Sequence, residues 1–403
     1  MQAVTDRRDA YVSLLTRLAR METPSTDPET IYPAFDLLAD ELAHAGLESV
    51  HVPGQETAGS LYARPADRAA GAPIQFLLGH VDTVWPLGTL SRMPVVEEDG
   101  KLRGPGVFDM KAGLTSFVIA LQTLRDLGLS LPAAPALLIT SDEEIGSHES
   151  RRHIERLARC ASRVYVTEPG LGHRGKLKTA RKGTGEYVIY VAPDVSARGD
   201  GNADADAGAD ADTADTEAPP QPIRQGTGNG ESPIVPQMMR LVQLLHGLGD
   251  PERGITVNVG TLRGPSAGDP RGSLGVDVRV VTKEDAYAVD RELREGVAAL
   301  FEGAEVTADV QGGVERPPLE RTPGNRRLWR AAVSIARDMD LMLEEDRAGG
   351  ASDGNFTSPF APTLDGLGAV GDGAHADHEF AYIDATVRRC ALLALLLLVP
   401  VDA

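Results

Sequence analysis

The chain has 403 residues, of which 42% are hydrophobic, so it is long enough to bury a large core and to form two or three domains. Its formal net charge of -19 argues against a nucleic-acid-binding protein, because binding a phosphate backbone requires clustered Lys and Arg. The two cysteines, Cys160 and Cys390, lack the spacing of a metal site or a disulfide framework, which is typical of reduced thiols in a cytoplasmic protein.

Neither end of the chain predicts a membrane segment. The first residues are charged and helix-periodic, and they contain no apolar signal-peptide core. The apolar run at residues 392–399 is far shorter than the roughly 20 residues that a membrane-spanning helix needs, and it continues a helical pattern that starts near Tyr382. We therefore expect a soluble protein that is neither exported nor bound to a membrane.

The first third of the chain alternates between helices and short buried strands. The hydrophobic pattern predicts helices over residues 32–46 and 113–127, and strands over residues 75–79, 136–140 and 164–167. This alternation predicts an α/β fold with a mostly parallel sheet and helices on both faces. In such sheets ligands bind beyond the carboxyl ends of the strands, so residues that directly follow these strands are candidates for a functional site.

From about Gly183 the pattern changes to that of a small α+β domain. Strands are predicted over residues 186–191, 255–262, 273–282 and 305–311, and helices over residues 233–247 and 284–301. The order β-α-β-β-α-β predicts a ferredoxin-like domain. The helical rhythm resumes at residues 326–339, so we expect residues 183–312 to be inserted into a first domain made of residues 1–182 and 313–403.

Residues 192–229 interrupt the small domain with a low-complexity acidic tract. Within it, residues 200–217 carry seven acidic side chains, no basic side chain and no large apolar residue. Such a sequence cannot offset its loss of conformational entropy by burying apolar surface, so it is predicted to be disordered. The acids do not have the spacing of a calcium-binding EF-hand loop.

His80 and Asp82 directly follow the first predicted strand. His80 could bind a metal ion or have a purely structural role, and Asp82 favours the former because it could hold the imidazole in one tautomer. Asp109 lies in a turn shaped by two glycines and a proline. There it could bridge two metal ions or cap the helix that follows.

Acidic side chains also follow the next two strands. Asp142, Glu143 and Glu144 form a run whose like charges repel one another unless a cation neutralises them, and a solvated acidic loop is the alternative. Glu168 occupies the same position after the third strand. Near the C-terminus the chain offers two further candidate ligands, His375 and His378.

Together these residues supply imidazole and carboxylate ligands without a cysteine, which suits a catalytic zinc or manganese site better than a structural one. The predicted metal ligands are His80, Asp109, Glu144, Glu168 and His375. Glu143 stands next to a ligand carboxylate and could accept a proton from a metal-bound water, which indicates hydrolytic chemistry.

Seven strings of the sequence carry a specific resemblance. They are GHVDT, GPGVFDMKAG, SDEEIGS, TEPG, RKGTGEY, GGASDGNFT and GAHADHEF. They resemble the glutamate carboxypeptidase and aminoacylase family of di-metal peptidases, over nearly the whole chain outside the acidic tract, and the glutamate carboxypeptidases are the most similar in pattern. The resemblance implies a zinc-exopeptidase-like catalytic domain with an inserted lid and dimerisation domain, and therefore a homodimer.

The resemblance also implies a role for each site residue. His80 and Glu168 would bind opposite metal ions with Asp109 bridging, while Glu144 and His375 complete the two coordination spheres. Asp82 would orient His80, Glu143 would be the general base, and the peptide bond after Asp109 would be cis. The implied cofactor is a pair of divalent ions, Zn²⁺ before Co²⁺ or Mn²⁺.

The predicted lid departs from the family pattern at two positions. The family carries a histidine that reaches the active site after the strand that RKGTGEY begins, but residues 192–199 contain none. Ser266 stands where the family has an asparagine, counted back from Arg279. Lys182, Arg279 and Arg316 remain as candidates to bind a substrate carboxylate.

Three functions are compatible with this sequence. The first is a di-metal hydrolase that cleaves an amide bond of a small peptide or an N-acyl amino acid, as a carboxypeptidase does. The second uses the same metal site on a different amide, such as a ring or carbamoyl amide, in a specialised pathway. The third is a non-catalytic protein that binds a metal or a partner and has lost turnover with its lid histidine.

Overall fold

The computed structural model describes residues 1–69, 71–194, 233–266 and 269–401. The chain divides into two compact units, one made of Met1–Gly183 and Arg316–Ala403 and the other of Thr184–Glu315. The acidic residues 200–217 lie outside the described residues, so their disorder stays a prediction.

The helices of the described residues are, in chain order, α1 (Gln2–Thr5), α2 (Arg8–Ala19), α3 (Tyr32–His44), α4 (Ala112–Asp126), α5 (Arg151–Cys160), α6 (Ile234–Gly247), α7 (Lys283–Phe301), α8 (Pro323–Asp338), α9 (Gly354–Thr357) and α10 (Ile383–Leu397). The strands are β1 (Leu47–Val52), β2 (Ser60–Pro65), β3 (Ile74–His80), β4 (Val96–Glu98), β5 (Lys101–Arg103), β6 (Ala134–Thr140), β7 (Arg163–Val166), β8 (Leu177–Arg181), β9 (Gly183–Pro193), β10 (Thr256–Arg263), β11 (Gly272–Val280), β12 (Val306–Arg316), β13 (Glu345–Ala348), β14 (Thr363–Leu364), β15 (Gly371–Asp372) and β16 (Phe380–Tyr382).

The first unit contains a six-stranded sheet in the order β1-β2-β6-β3-β7-β14. Strands β6, β3, β7 and β14 run parallel, whereas β1 and β2 pair antiparallel at one edge. Because the side chains of a strand alternate between faces, Leu77 packs in one apolar cluster while Phe76 and Leu78 pack in another. The first cluster includes side chains of α2, α3, α4 and α10, and the second those of α5 and α9, so helices cover both faces as predicted.

The second unit has the predicted ferredoxin-like topology. Its four-stranded sheet has the order β10-β11-β9-β12. Alternate residues of β11 are buried, and they pack in a cluster with the apolar faces of α6 and α7. One boundary was wrong: Ala192 and Pro193 belong to β9 and not to the low-complexity tract, because the strand extends two residues beyond the apolar run that predicted it.

One helical stretch of the described residues, Val107–Asp126, is long and apolar enough to cross a membrane by length and composition alone. Of the most apolar 18-residue segment within this stretch, 89% is buried inside the protein. The stretch comprises a short π-helical turn, Val107–Lys111, followed by α4, and its side chains pack in the larger core cluster. Burial of this kind is typical of the central helix of a globular core.

Candidate metal centre

Three buried parallel strands end at the same edge of the sheet, and each is followed by a predicted site residue. His80 ends β3, Glu143 and Glu144 follow β6 in a short 3-10 turn, and Glu168 comes two residues after β7. Parallel pairing of β3 with both neighbours places these three strand ends side by side. The local sequence therefore fixes the strands, and their parallel pairing brings the polar residues together.

Asp82 ties the His80 imidazole to the turn after β6. The His80 Nδ1 atom lies 3.0 Å from the Asp82 carbonyl oxygen and 3.4 Å from its carboxylate. That carboxylate accepts hydrogen bonds from the Ser25 hydroxyl at 2.7 Å and from the backbone N–H of Glu144 at 3.2 Å. Contacts at Nδ1 leave His80 Nε2 as the nitrogen that faces the other acidic side chains.

Asp109 lies between two histidines. Its Oδ1 atom is 3.5 Å from His80 Nε2, and its Oδ2 atom is 3.5 Å from His375 Nε2. Oδ1 is buried and has no hydrogen-bond partner among the described residues. The peptide bond between Asp109 and Met110 is cis, as the resemblance implied. Each oxygen of this carboxylate thus faces a different imidazole.

Two further carboxylates complete the two sides of this arrangement. Glu168 Oε1 is 3.4 Å from His80 Nε2, and Glu144 Oε2 is 3.1 Å from His375 Nε2. The resemblance implied that His80 and Glu168 bind opposite metal ions, and this pairing needs correction. The two residues follow neighbouring strands, β3 and β7, so their side chains meet on the same side of Asp109.

The residues present fit a pair of divalent cations. Ligand atoms of His80, Asp109 and Glu144 lie within 4.8 Å of one another, and so do those of His80, Glu143 and Glu168. The buried Asp109 Oδ1 atom has no hydrogen-bond partner among the described residues, and a bound cation would compensate its negative charge. Imidazole nitrogen and carboxylate oxygen without thiolate form the donor set of catalytic zinc sites.

His375 and His378, which the sequence left as alternatives, occupy different positions. Both line the same cavity, and His375 reaches Asp109 and Glu144. His375 adopts a left-handed backbone conformation with a φ of 61°. The geometry therefore favours His375 as the ligand.

The charges of the metal-free site shift the pKa values of both histidines upward. Burial lowers the pKa of His80, but the carboxylates of Asp109, Asp82 and Glu168, which lie 3.4–3.5 Å from its ring nitrogens, outweigh it and hold the value well above its usual range. Hydrogen bonds to Asp109 and Glu144 raise the pKa of His375 to about 10. Burial raises the pKa of Glu144 to about 8. Protons therefore occupy several of the positions that a metal ion would take.

Glu143 is held by an arginine and not by either histidine. Arg316 Nη1 lies 2.5 Å from Glu143 Oε1, and Arg316 Nη2 donates to the Glu143 carbonyl and to the Ser147 hydroxyl, both at 2.8 Å. Ser147 in turn donates to the buried carboxylate of Asp353. Burial raises the pKa of Glu143 although Arg316 opposes the shift. A carboxylate with a raised pKa accepts a proton more readily at neutral pH.

Two buried cations that the sequence analysis did not select face the far side of Glu168. Arg181 Nη2 is 2.7 Å and Lys178 Nζ is 3.4 Å from Glu168 Oε2. Burial would raise the pKa of Glu168, but the charges of Arg181 and Lys178 hold it well below its usual range. Arg181 also pairs with the buried Asp365 at 2.6 Å. In the sequence, the basic side chains within and just before the string RKGTGEY could have indicated that this segment pairs with an acidic residue of the site.

The other predicted substrate-binding residues have different positions. Among the described residues that line the cavity, the lysine is Lys178 and not Lys182, whose backbone N–H donates to the Ala348 carbonyl at 3.1 Å. Arg279 belongs to the second unit, where it lies 3.3 Å from Asp277. Its role, like that of Lys182, stays a prediction.

Glu379 is a buried residue of the site that the sequence analysis missed. Its Oε1 accepts the N–H groups of Phe108 at 2.9 Å and Asp109 at 3.1 Å. Its Oε2 accepts Gly106 N–H and the Trp85 indole N–H, both at 2.9 Å. Glu379 therefore ties the segment that carries His375 to the turn that carries Asp109. In the sequence, the position of Glu379 within the string GAHADHEF was the feature that could have indicated a role in the site.

We predict that Glu379→Gln lowers the free energy of unfolding of the metal-free protein by about 2–4 kcal/mol. Either orientation of the amide turns its NH₂ group toward two N–H donors, and each buried donor left without an acceptor costs about 1–3 kcal/mol. Urea unfolding would measure the change, and zinc titration would show whether metal affinity falls with it.

The matched control for this change is Asp377→Asn in the same segment. Asp377 is exposed and pairs with Arg92 at 2.5 Å, so its replacement should cost less than about 1 kcal/mol. Equal effects of the two substitutions would contradict the positioning role of Glu379.

A cavity of about 500 Å³ opens over these residues. It is lined by the acidic residues Asp109, Glu143, Glu144 and Glu168, by His375 and His378, by Lys178 and Arg181, and by residues 348–351. A cavity of this volume accommodates a small peptide or an acylated amino acid.

An α/β sheet with paired histidines and carboxylates beyond its strand ends, together with an inserted ferredoxin-like unit, defines the class of the metallopeptidases. The chain belongs to the peptidase family M20/M25/M40, whose model matches residues 76–399. It is therefore a hydrolase that acts on amide bonds, and the resemblance stated from the sequence is confirmed.

Two relatives differ in how much of the chain they match. Carboxypeptidase G2 of Pseudomonas sp. (strain RS-16) is 27% identical over 407 residues, which cover 98% of this chain and 91% of that protein. Succinyl-diaminopimelate desuccinylase of Delftia acidovorans is 35% identical over 178 residues, which cover 40% of this chain and 45% of that protein.

Solved structures share the fold over nearly the full length. Aminopeptidase PepT from Bacillus cereus has a TM-score of 0.73 at 17% identity and covers 98% of this chain, with 99% of its own chain matched. The YXEP protein of Bacillus subtilis, described as a dinuclear metal-binding peptidase of the M20 family, has a TM-score of 0.69 at 12% identity, with 99% of both chains covered.

Proposed function

We propose that this protein is a di-metal hydrolase that cleaves the amide bond of a small peptide or an N-acyl amino acid with a free carboxylate. The observation that carries the proposal is Asp109, whose two carboxylate oxygens each lie 3.5 Å from a different histidine. His80 and Glu168 would hold one ion, His375 and Glu144 the other, and Asp109 would bridge them. Zinc suits this donor set best, and cobalt and manganese are substitutes.

The bound ions would polarise the scissile carbonyl and lower the pKa of the attacking water. Glu143 would accept the proton of that water and deliver it to the nitrogen of the leaving amine. Arg316 would hold Glu143 in place through its contact with Oε1 while the second carboxylate oxygen takes the proton. Asp82 would keep the His80 imidazole in the orientation that presents Nε2.

A cationic side chain in the cavity supports a preference for substrates with a free carboxylate. Lys178 lines the cavity beside Glu168, and its ammonium group can bind a carboxylate, whereas each guanidinium nitrogen of Arg181 already donates to a protein oxygen. The similarity to carboxypeptidase G2 agrees with such a preference. Similarity to the desuccinylase supports an N-succinyl group as one acyl group to test.

The test is hydrolysis of a substrate panel by zinc-loaded and metal-free protein, with metal content measured in parallel. The panel contains dipeptides and N-acetyl, N-succinyl, N-benzoyl and N-carbamoyl amino acids, each with a free and an amidated α-carboxylate. We expect metal-dependent hydrolysis with a lower kcat/KM for the amidated forms. Cleavage of the N-carbamoyl compounds alone would favour the specialised-amide alternative, and cleavage independent of metal would contradict the proposal.

We predict that metal affinity rises with pH and that binding at pH 7 releases protons. In the metal-free protein the carboxylates of Asp109 and Glu144 raise the pKa of His375 to about 10, so His375 holds a proton at pH 7 that a metal ion must displace. The dissociation constant for zinc should therefore fall by about tenfold or more per unit of pH between 6 and 8. Calorimetry in buffers of different ionisation enthalpy would count the protons.

The control for this titration is His378→Gln, which removes a histidine that lines the cavity but should leave both metal ions bound. Its zinc affinity should follow the same pH dependence as the wild type. Zinc affinity that does not change with pH, or that falls as pH rises, would contradict the proposed displacement.

We further infer that the second unit mediates a homodimer, as the family resemblance implies. Sedimentation equilibrium of the purified protein would measure the mass. The cytoplasmic location, the absence of nucleic-acid and membrane partners, and the lid role of residues 183–312 stay predictions from the sequence.

A further inference from the structure

A second cavity of about 330 Å³ lies at the start of α10, apart from the metal centre. Its lining includes three arginines and a histidine, one acidic residue, and apolar side chains, namely Arg174, Arg388, Arg389, His173, Asp384, Leu341 and Val370 among others. None of the residues that line it also lines the cavity over the metal centre. It is thus a separate, basic and partly apolar cavity within the first unit.

Arg389 is the unusual residue of this second cavity. It is only 3% exposed, and its Nη2 atom donates to the carbonyl oxygen of Gly175. Its Nη1 atom is buried without a hydrogen-bond partner among the described residues. Burial alone lowers its pKa to about 10, with no contribution from a nearby carboxylate. A buried guanidinium without a counter-ion is costly, so an unfilled partner position is expected beside it.

The acidic side chains around the cavity already have basic partners. Asp384 pairs with Arg8 at 2.9 Å, Glu344 with Arg174 at 2.8 Å, and Asp372 lies 3.5 Å from His173.

Arg388 is exposed beside Arg389 and has no acidic partner among the described residues. Both arginines belong to the second turn of α10. Their two adjacent positive charges favour an anion.

We propose that this second cavity binds a small oxyanion, a phosphate or a carboxylate, through Arg389 with Arg388 at its mouth. Phosphate and carboxylate share the feature that matters here, which is two or more oxygens that the N–H donors of a guanidinium can bind together. The apolar walls leave room for a short aliphatic body on the anion.

One hairpin contributes residues to the lining of both cavities. Leu171 and Lys176 pair through two backbone hydrogen bonds of 2.9 Å, and Leu171 and Gly172 line the first cavity while His173 lines the second. The Gly175 carbonyl that Arg389 contacts belongs to the same hairpin. An anion bound to Arg389 would therefore stabilise the hairpin that follows Glu168.

The test is a calorimetric titration of zinc-loaded protein with inorganic phosphate, acetate and hexanoate at constant ionic strength, with zinc content checked afterwards. Phosphate and acetate report on the preferred head group, and hexanoate on the apolar walls. The variants are Arg389→Met, Arg388→Gln and, as a matched control, Arg240→Gln, which replaces an exposed arginine of α6 that lines neither cavity. Because Arg388 is exposed, Arg388→Gln keeps the test valid if Arg389→Met fails to fold.

We expect saturable binding of at least one of these anions to the wild type. Arg389→Met should weaken it by about tenfold or more, since it removes charge-assisted hydrogen bonds. Arg388→Gln should weaken it severalfold, and Arg240→Gln should leave it unchanged. Absence of saturable binding, unchanged binding in Arg388→Gln, or an equal loss in Arg240→Gln would overturn the proposal, because the anion would then bind elsewhere, bind through net charge alone, or not bind.

Discussion

Replacing Glu143 with Gln should leave both metal ions bound and lower kcat by at least about a hundredfold, because a general base typically contributes about 10²–10⁴-fold. The amide oxygen of Gln can still accept the hydrogen bond from Arg316 Nη1, so the side chain should keep its position. What it loses is the ability to take a proton from the attacking water. Single-turnover kinetics and metal analysis of the same preparation would separate the two effects.

The control for Glu143→Gln is Glu155→Gln on α5. Glu155 is partly exposed and pairs with Arg151 at 2.8 Å, and it does not line the cavity over the metal centre, so its replacement should change neither kcat nor metal content. Near wild-type kcat in Glu143→Gln would show that another group is the base. Loss of metal from Glu143→Gln with retention in Glu144→Gln would show that the roles within the pair are reversed.

Replacing Asp109 with Asn should abolish the binding of both metal ions and with it all metal-dependent hydrolysis. Asp109 is the residue that faces both His80 and His375, and an amide offers one neutral oxygen in place of two that share a negative charge. The amide also directs its NH₂ group toward the Nε2 atom of either His80 or His375. That nitrogen must keep its lone pair free to bind a metal ion. The measurement is the amount of zinc that the variant retains after dialysis against buffer containing a trace amount of zinc.

Glu144→Gln distinguishes a bridging role for Asp109 from a general loss of the site. Glu144 faces His375 and not His80 in close contact, so this variant should lose one ion and keep the other. Equal stoichiometry in Asp109→Asn and Glu144→Gln would contradict a bridge. Retention of two ions in Asp109→Asn would remove the central argument for the proposed function.

The pH dependence of metal binding follows from the same contacts. The two histidines hold protons in the metal-free state because the carboxylates that face them raise their pKa values, and a divalent cation would replace those protons. The same contacts therefore predict where the metal ions bind and how their affinity responds to pH.

The sequence predicted the strands that carry the site because continuous apolar runs of a few residues are buried on both faces of a parallel sheet. These runs were residues 75–79, 136–140 and 164–167, and they correspond to β3, β6 and β7 within two residues at either end. Once these strands were assigned, the side chains after them were expected at one edge. Local sequence was sufficient for this part of the molecule.

The tertiary structure decided which distant residues support that edge. Glu379 contacts the turn of Asp109 across 270 positions of the chain, and no local periodicity records such a contact. The choice of His375 over His378 likewise depends on the contacts of His375 with Asp109 and Glu144, which lie far from it in the chain. Lys178 and Arg181 reach Glu168 because β8 leads back to the cavity, whereas the sequence offered several basic residues there without ranking them.

The sequence by itself therefore determined the fold class, the chemical type of the site and the residues at the strand ends, because these depend on local hydrophobic patterns and on residue type. The tertiary structure alone decided the pairing of Glu168 with His80, the anchoring of Asp109 by Glu379 and the position of buried Arg389 against the second cavity. Each of these depends on packing between segments far apart in the chain. Such packing is set by the whole fold and not by neighbouring residues.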